Sequence, residues 1–555
     1  MSDQTTLTHS RKTPNQAPRG LSVMAITVAV ICLLPMLAVA IAAFSGGTGT
    51  VAHLISTVLP RYAGNTVMLA LLVSIGTFMV GVGAAWLVTM TRFPGVRFFE
   101  IALVLPLAFP AYVLAYAYTY ILDHPGIVQS SLRGVMGWGP RDYWFPEVRS
   151  LGGAACMLVL VLYPYVYLLA RASFIQQSGT TFLAARALGS SAWSAFFRVS
   201  LPLARPAIAG GVLLAVMETI ADFGTVAYFG VQTFATGIYS SWFTFVDRAG
   251  AAQLALCLLS FALLLAMLER IQRGRAKYYD PSRRAQDKTQ IDLKGWQAAL
   301  AIVLCGAPVL FGCVLPIIVL FSMGLGSEQD LLSTRYLGFI RNSLTLAGLA
   351  AVITVVAAVA VGFFQRMQPG RLSNASAYAA RLGYAVPGGV IAVGLMVPFA
   401  AFDNALDAWM RTTFDYSTGL LVTGSIWLLI GAYMVRFLAA ALGAYEGGQA
   451  LVHENMDAAS RSLGQSPFGT LRRVHLPILT PSLLTALLIV FVDVMKELPA
   501  TLILRPFNYD TLAVQAYRLA SDERLDGAAV PSLVIVAMGL LPVILICRQV
   551  GRGRL

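Results

Sequence analysis

The sequence predicts an all-α polytopic membrane protein with about twelve transmembrane helices in two parallel six-helix repeats. The first observation is the composition: of 555 residues, 57% are hydrophobic and 12% are charged, whereas about a quarter of the residues of a soluble protein are charged. The second is a motif at 183–202 that recurs at 458–477, 275 residues further on. Repeats with the same order and an equal, even number of spans share one orientation. We therefore expect a pseudo-two-fold axis along the membrane normal, with the pathway between the halves.

Apolar runs of membrane-spanning length divide the chain into its elements. A helix needs around 20 residues to cross about 30 Å of hydrocarbon, and twelve runs have this length. They lie at 22–44, 65–90, 99–121, 151–173, 205–229, 250–268, 297–322, 342–364, 376–400, 419–444, 479–502 and 527–547. The predicted segments are a tail at 1–21, a first half at 22–269, a linker at 270–296, a second half at 297–547 and a tail at 548–555.

The basic residues indicate the topology. The net charge of +13 is spread over short segments between the spans and is not gathered on one face, so no nucleic-acid partner is predicted. Lysine and arginine are frequent in the N-terminal tail and in the linker, which the positive-inside rule places in the cytoplasm. An even number of spans returns the basic C-terminal tail to the same side. The first span is longer than the apolar core of a cleavable signal peptide, about 7–15 residues, so we expect an uncleaved anchor.

The repeated motif predicts a short rigid element that projects from the membrane. It consists of a helical run of small residues, a glycine, nine further residues, an aliphatic residue, a spacer and Leu-Pro. A glycine accommodates a tight turn between two short helices, and we expect the proline to end the second of them. The residues that carry the motif are Leu183, Ala184, Ala185, Arg186, Gly189, Leu201 and Pro202, and Ala458, Ala459, Arg461, Gly464, Leu476 and Pro477. The expected contact side chains are Arg186, Trp193, Phe196, Phe197, Arg461, Phe468, Leu471 and Arg472.

This motif resembles the cytoplasmic loop by which permeases of ATP-binding cassette (ABC) importers grip their ATPases. The resemblance implies a type I permease fold made of two fused halves, with docking loops at 183–202 and 458–477. Leu183 and Ala458 stand where that family usually has an acidic residue, with Asp457 beside the second. A short basic stretch can instead be an amphipathic interfacial helix, but two copies in identical register favour docking.

ATP chemistry is expected on separate subunits. The sequence contains no GxxxxGK[ST] phosphate loop, whose backbone amides would cradle the phosphates of ATP. We therefore expect that this chain binds no cofactor, that ATP and Mg belong to partner subunits, and that two copies of an ATPase bind the two loops. No paired nucleophile and base stands out, so the chain is not predicted to be an enzyme. Ordinary surface roles are expected for the scattered histidines, His475 included.

Four carboxylates follow the repeated motif, in the next span of each half. Glu218 and Asp222 match Asp493 and Glu497 at a separation of 275, and a spacing of four places each pair on one helix face. A charged residue at mid-bilayer costs about 2.5–3.5 kcal/mol on insertion scales, so a lipid-facing position is disfavoured. If the two spans pair across the axis, the four side chains line one passage. As hard oxygen ligands they then suit a small, highly charged cation such as Fe(III).

Other roles for these carboxylates remain open. They can pair with Lys496 or Arg505, form interhelical hydrogen bonds, or lie at the outer mouth as a gate. An ion-coupled secondary transporter would also contain repeats and carboxylates within the membrane, although it has no use for docking loops.

The acidic spans are similar to those of ferric-iron importer permeases. The similarity is clearest at 217–230 and 493–506 and continues at 510–513 and 520–523. It implies uptake of Fe(III) across the inner membrane of a bacterium, with delivery by a periplasmic ferric-binding protein. Fused permeases for thiamine and for phosphonates have a similar layout, so both stay as alternative cargoes.

Overall fold

The computed structural model describes residues 19–45, 56–177, 187–189, 191–275, 291–327, 329 and 333–552. These residues are almost entirely helical, and their one strand pair is a two-residue parallel bridge between β1 (Thr91–Arg92) and β2 (Ile291–Asp292). The predicted all-α class is confirmed.

The first half is a succession of long and short helices. They are α1 (Arg19–Ser45), α2 (Leu59–Met90), α3 (Val96–Ala102), α4 (Ala111–Leu122), α5 (Ile127–Met136), α6 (Leu151–Gln176), α7 (Ala192–Ala195), α8 (Leu201–Ala221), α9 (Gly224–Tyr228), α10 (Phe234–Tyr239) and α11 (Arg248–Arg275). A 3-10 turn at Leu105–Ala108 follows α3, and π turns at Phe196–Ser200 and Ser240–Thr244 follow α7 and α10.

The second half repeats this order. Its helices are α12 (Trp296–Val309), α13 (Leu315–Leu325), α14 (Thr334–Met367), α15 (Arg371–Leu382), α16 (Gly388–Phe414), α17 (Ile426–Gln449), α18 (Glu454–Ser462), α19 (Pro467–Thr470), α20 (Leu476–Met495), α21 (Pro499–Leu504), α22 (Leu512–Ser521) and α23 (Leu525–Arg552). A 3-10 turn at Gly383–Ala385 follows α15, and π turns at Leu310–Val314 and Leu471–His475 follow α12 and α19.

The number of spans agrees with the prediction of about twelve. Among the described residues, eleven helical stretches are long and apolar enough to cross a membrane, and a bent pair at Val96–Ala108 and Ala111–Met136 raises the number to twelve. That pair turns by 92°, so a straight span at 99–121 is wrong. The predicted span at 376–400 is likewise interrupted, between α15 and α16.

A proline stands at each of these two breaks. Pro110 precedes α4 and Pro387 precedes α16, with extended ψ angles of 136° and 145°. The residue before a proline is pushed out of the helical region by the proline ring, and Phe109 and Val386 accordingly have ψ angles of 134° and 120°. The repeat therefore encodes the same break twice.

The prolines of the repeated motif have a different role from the one predicted. Pro202 and Pro477 lie in the first turn of α8 and α20, and the short helices run on into these spans through the π turns. A proline has no N–H to donate to the carbonyl four residues back, which favours a wider turn just before it. Pro316 follows a third π turn in the same way. The expectation that these prolines end a helix is wrong.

The two halves exchange their first helices. Helix α1 packs against α11 of its own half and against α14, α15 and α16 of the second half, while α13 packs against α23 and reaches α4 of the first half. The contact is close, because a Cβ atom added at Gly394 in α16 would lie 2.3 Å from the carbonyl oxygen of Pro35 in α1. Small residues allow such backbone contact between membrane helices. The division at 270–296 is thus one of sequence and not of packing.

The ends of the linker are ordered parts of the fold. Residues 270–275 belong to α11, and 276–290 lie outside the described residues. The C-terminal end forms β2, and the amide of Leu293 donates to the carbonyl oxygen of Arg92 at 3.0 Å. The second half therefore begins attached to the segment that follows α2.

Candidate docking loops and translocation cavity

The second docking loop is a helical hairpin closed at a glycine. Helix α18 ends where Gly464 takes a φ of +76°. The amide of Gly464 donates to the carbonyl of Arg461 at 2.9 Å, and that of Gln465 donates to the carbonyl of Ser460 at 3.1 Å. This is the glycine-closed helix end known as the Schellman motif. The hydroxyl of Ser460 also lies 2.8 Å from that of Thr470 in α19, which ties the two arms together.

The first docking loop is described in part. Leu183, Ala184, Ala185 and Arg186 lie outside the described residues. Gly189 has a φ of +89°, so the predicted tight turn is present in both copies, and Leu201 and Pro202 begin α8 as Leu476 and Pro477 begin α20.

The two loops are anchored differently. In the second, the carboxylate of Asp457 accepts a hydrogen bond from the Arg366 guanidinium at 2.8 Å and lies 2.6 Å from Nε2 of His475. Arg366 also donates to the carbonyl oxygens of Gln449 at 3.3 Å and Val452 at 2.7 Å. The side chain of His475 is fully buried, and those of Arg366 and Asp457 are 15% and 12% exposed. An ion pair thus holds α18 against the end of α14.

An aromatic cluster stands in the corresponding place in the first loop. The ring of Phe196 lies 5.1 Å from that of Trp86 and 6.2 Å from that of Phe174, measured between centroids. In the repeat register, Thr89 and Ser200 occupy the positions of Arg366 and His475. In the described part of the first loop these contacts are therefore aromatic, whereas the second loop is held by an ion pair.

Sequence reasoning missed this ionic anchor. The surface role expected for His475 is wrong, since the residue is buried against the ring of Phe363 at 5.1 Å. A signal was present, because a histidine between Val474 and Leu476, with Asp457 eighteen residues earlier, is a polar group that needs a partner when it is buried. Arg366, at the end of a separate span, could not be assigned to them without the fold.

The tips of the loops present apolar side chains. Leu188 is 88% exposed and its repeat partner Leu463 is 79% exposed; neither was predicted. Phe197 and Phe468 are exposed as expected, whereas the buried Phe196 and Leu471 were wrongly expected to be contacts. The burial of Trp193 lies outside the described part of the chain. Exposed apolar groups repeated at one tip of each half are typical of a protein-binding surface.

The four carboxylates converge on one cavity between the halves. This central cavity has a volume of about 120 Å³ and is lined by Glu218, Asp222, Asp493 and Glu497. Other polar side chains of its wall are Tyr112, Tyr165, Tyr384, Arg436 and Lys496. The four carboxylates thus share the wall of one cavity, and their role in a translocation passage stays a prediction.

Two of these carboxylates cap short helices. Asp222 accepts hydrogen bonds from the amides of Thr225 and Val226 at 3.1 and 3.2 Å. Glu497 accepts from those of Ala500 and Thr501 at 2.9 and 3.1 Å. Because these caps start new helices, α8 ends at Ala221 and α20 at Met495, and the unbroken spans predicted at 205–229 and 479–502 are wrong. Anionic groups are stabilised at helix N-termini.

The other two carboxylates face cations. Asp493 forms an ion pair with Lys496 at 2.9 Å, one of the alternatives left open by the sequence, and Glu218 lies 4.0 Å from Arg436. Arg505 pairs with Asp510 instead. In the part of the chain that the structure describes, no three Asp, Glu, His or Cys side chains are grouped so that they could hold a metal ion. A ready-made four-carboxylate metal site is therefore not formed in this structure, because helix ends and cations occupy the carboxylates.

The cavity is symmetric in its acids and asymmetric in its bases. Each repeat supplies two carboxylates, but both cations come from the second half. In the 275-residue register, Val161 and Ala221 stand where the second half has Arg436 and Lys496, and both line the wall. With every group ionised, the cavity has two more negative than positive charges.

The whole chain is similar to transport permeases. It matches the family described as binding-protein-dependent transport system inner membrane component over residues 77–278 and 354–552. The Fe(3+)-transport system permease protein FbpB 2 of Haemophilus influenzae is 26% identical over 96% of this chain and 99% of its own length. The probable ABC transporter permease protein y4fN of Sinorhizobium fredii is 26% identical over 96% of each chain. The molybdenum transport system permease protein ModB of Escherichia coli is 30% identical over 35% of this chain and 87% of its own.

The two matched segments correspond to the two repeats. Each contains one docking loop and one carboxylate pair, and the resemblance to fused ABC importer permeases is confirmed. The many apolar helices and the relatives together make this a multi-pass protein of the inner membrane. The chain belongs to the family of binding-protein-dependent transport system inner membrane components and contains two copies of its domain in one polypeptide.

Proposed function

We propose that this chain is the permease of an ATP-driven importer that moves ferric iron from a periplasmic binding protein into the cytoplasm. The observation that carries the proposal is the convergence of four carboxylates, two from each repeat, on the central cavity. Such hard oxygen donors suit a small trivalent cation. The relative aligned over nearly its full length, whose name specifies Fe(3+) transport, supports the same cargo.

Coupling to ATP takes place at the docking loops. Each loop binds one ATPase subunit, so the complex contains two, and these subunits bind ATP and Mg while this chain supplies the path and no catalysis. Both termini then lie in the cytoplasm with the loops. The exposed leucines at 188 and 463 support the contact. ATP binding draws the loops together and rotates one half against the other.

The cavity is built to hold iron briefly. In the described state Lys496 and Arg436 face Asp493 and Glu218, so an arriving cation competes with two tethered cations. Passage through a pore requires binding that is strong enough for entry and weak enough for release. The internal cations therefore keep the carboxylates from becoming a permanent iron site.

A phosphonate is the second candidate cargo. The observation in its favour is the pair Arg436 and Lys496, since cations recognise phosphoryl oxygens. The putative 2-aminoethylphosphonate transport system permease protein PhnV of Salmonella typhimurium is 31% identical, but over 22% of this chain. Thiamine has no comparable support in the cavity. Family membership weighs against an ion-coupled secondary transporter, which would not require ATP.

The test is transport by the complete complex in liposomes. Permease, ATPase and binding protein are assayed with radioactive ferric iron, with 2-aminoethylphosphonate and with thiamine. Iron should accumulate only with ATP and binding protein. The double variant Glu218→Gln with Asp493→Asn should lower iron uptake at least tenfold, while Glu446→Gln, a carboxylate paired with Arg381 outside the cavity, should not.

The outcomes separate the parts of the proposal. Accumulation of phosphonate or thiamine without iron rejects the cargo. Iron uptake that survives replacement of all four carboxylates by amides removes the role of the cavity. Uptake driven by an ion gradient without ATP rejects the class of transporter.

A further inference from the structure

A second cavity lies beyond the ends of α8 and α20 that are farthest from the docking loops. This outer cavity has a volume of about 720 Å³ and is enclosed by α9 and α10 of the first half and α21 and α22 of the second. Five aromatic rings form much of its wall, Tyr239 and Tyr517 among them. A cleft of this size falls within the range of about 300–1,000 Å³ typical of small-molecule sites.

The polar wall of the outer cavity is positive. Arg505 and Arg518 both line it and share a single carboxylate, Asp510, which lies 3.0 Å from the Arg518 guanidinium. No Asp or Glu is among the described residues that line this cavity. Two guanidinium groups for one carboxylate leave an excess positive charge.

Donor capacity also remains unused here. Arg518 is 53% exposed. The Nε of Arg505 is buried and, among the described residues, has no hydrogen-bond partner. A buried donor without a partner is destabilising, and an acceptor in the cavity would relieve this. Guanidinium groups bind carboxylates and phosphates in a planar, two-bonded geometry.

The outer and central cavities meet at one residue and have opposite charge. Phe223 belongs to the wall of both. Its ring stacks on that of Tyr239 at 3.7 Å and lies 5.6 Å from that of Tyr517 in the other half. On one side of this ring are two arginines, and on the other are four carboxylates with two cations. A cavity with excess positive charge and a cavity with excess negative charge cannot both favour the same charged species.

We propose that the outer cavity is a binding site for a small polyanion with carboxylate or phosphate oxygens, held by Arg505 and Arg518. The anion arrives free or as a ligand of the transported cation. A hard trivalent cation in neutral water carries anionic oxygen ligands, so the second source rests on the proposed function whereas the site itself does not.

The test measures binding to the permease–ATPase complex in nanodiscs of zwitterionic lipid. Isothermal titration with citrate, inorganic phosphate and ferric citrate is carried out at low salt. Arg518→Gln is expected to weaken binding at least tenfold, and Arg518→Lys less, because the charge remains while the planar donor pair is lost. Arg335→Gln is the matched control, since Arg335 lines a different cavity that also contains Glu523 and Asp526. Thermal unfolding of each variant verifies the fold.

Binding of citrate or phosphate that falls in Arg518→Gln and not in Arg335→Gln supports a site for the free anion. Binding of ferric citrate alone, with the same dependence, supports the metal-borne anion. Absence of binding by all three probes, or binding unchanged in Arg518→Gln, overturns the proposal. Iron uptake by wild-type complex is measured in parallel. Absence of iron uptake together with intact anion binding would reject the iron assignment alone. Iron uptake without anion binding would reject the outer site alone.

Discussion

The ionic anchor of the second docking loop provides the sharpest prediction. Replacing Asp457 by Asn keeps the size of the side chain and removes the charge that faces Arg366 and His475. The pair with Arg366 is shielded from water, with side chains 12% and 15% exposed, so the substitution leaves a nearly buried guanidinium without its counter-ion.

The magnitude follows from the contacts that remain. Breaking one partner of a buried ion pair costs about 3–5 kcal/mol. Arg366 keeps two backbone carbonyl acceptors, at 2.7 and 3.3 Å, and the new amide can still accept a hydrogen bond. We therefore expect a smaller loss, about 2–3 kcal/mol of local stability in α18. This corresponds to roughly 30- to 150-fold more frequent opening of the loop.

Two measurements detect this opening. Hydrogen exchange in the assembled complex should become faster for the amides of 454–464 and stay unchanged in the first half. ATP hydrolysis should lose its stimulation by the binding protein, because a loosened loop transmits less motion. The matched control is Glu454→Gln, which removes an exposed acid from the same helix. If Asp457→Asn exchanges no faster than Glu454→Gln, the anchor does not hold the loop.

Three further substitutions test the fold around the path. Gly464→Ala should destabilise the second loop by about 1–2 kcal/mol, because alanine pays this penalty in a left-handed backbone conformation. The measurement is the binding of the ATPase, which should become weaker. Gly388→Ala should lower uptake, because its Cβ would stand 2.6 Å from the Glu497 carboxylate and 2.8 Å from the Arg436 guanidinium and would displace side chains of the central cavity. The Arg149 guanidinium, 2.6 Å from Glu523, lowers the pKa of that carboxyl below the ordinary 4.5. The stabilisation by the ionised Glu523 carboxylate is therefore complete above pH 4.5 and is lost as the pH falls through the lowered pKa. The difference in melting temperature between wild type and Glu523→Gln should shrink over the same pH range.

Each substitution has its own control. Gly443→Ala adds a methyl group in open space at a helical glycine, and an equal loss of ATPase binding there would show that backbone handedness at 464 is irrelevant. Gly389→Ala meets only an ordinary contact at 3.5 Å, so equal inhibition at 389 would refute the clash. A melting difference that is constant from pH 7 to 4 would show that Glu523 does not stabilise the fold through its charge.

Much of the architecture was predictable because membrane insertion imposes simple rules. Apolar length identified nearly every span, and the 275-residue register identified both glycine turns and all four carboxylates. The errors in the span boundaries occur where a polar side chain or a proline interrupts an apolar run. The spans at 205–229 and 479–502 are broken because Asp222 and Glu497 cap new helices, and hydropathy does not detect a cap inside an apolar run.

Side-chain partners were harder to predict than helices. Phe196 and Leu471 have the hydrophobicity of contact residues, and burial alone distinguishes them from Phe197 and Phe468. Likewise, Asp457 and His475 were visible in the sequence, but Arg366 comes from a span some ninety residues away and completes the anchor only in the folded protein.

The sequence by itself determined that this protein is a duplicated bundle of membrane helices with a docking turn and an acidic pair in each half, because hydrophobic length, glycine geometry and repeat register are local properties. The tertiary structure decided what these pairs face. It exchanged the first helices between the halves, gathered four acids and two bases around one cavity, and placed a positive cavity across Phe223 from it. Those charges lie far apart in the chain, and their effect on one another depends on distances that only the packing of helices sets.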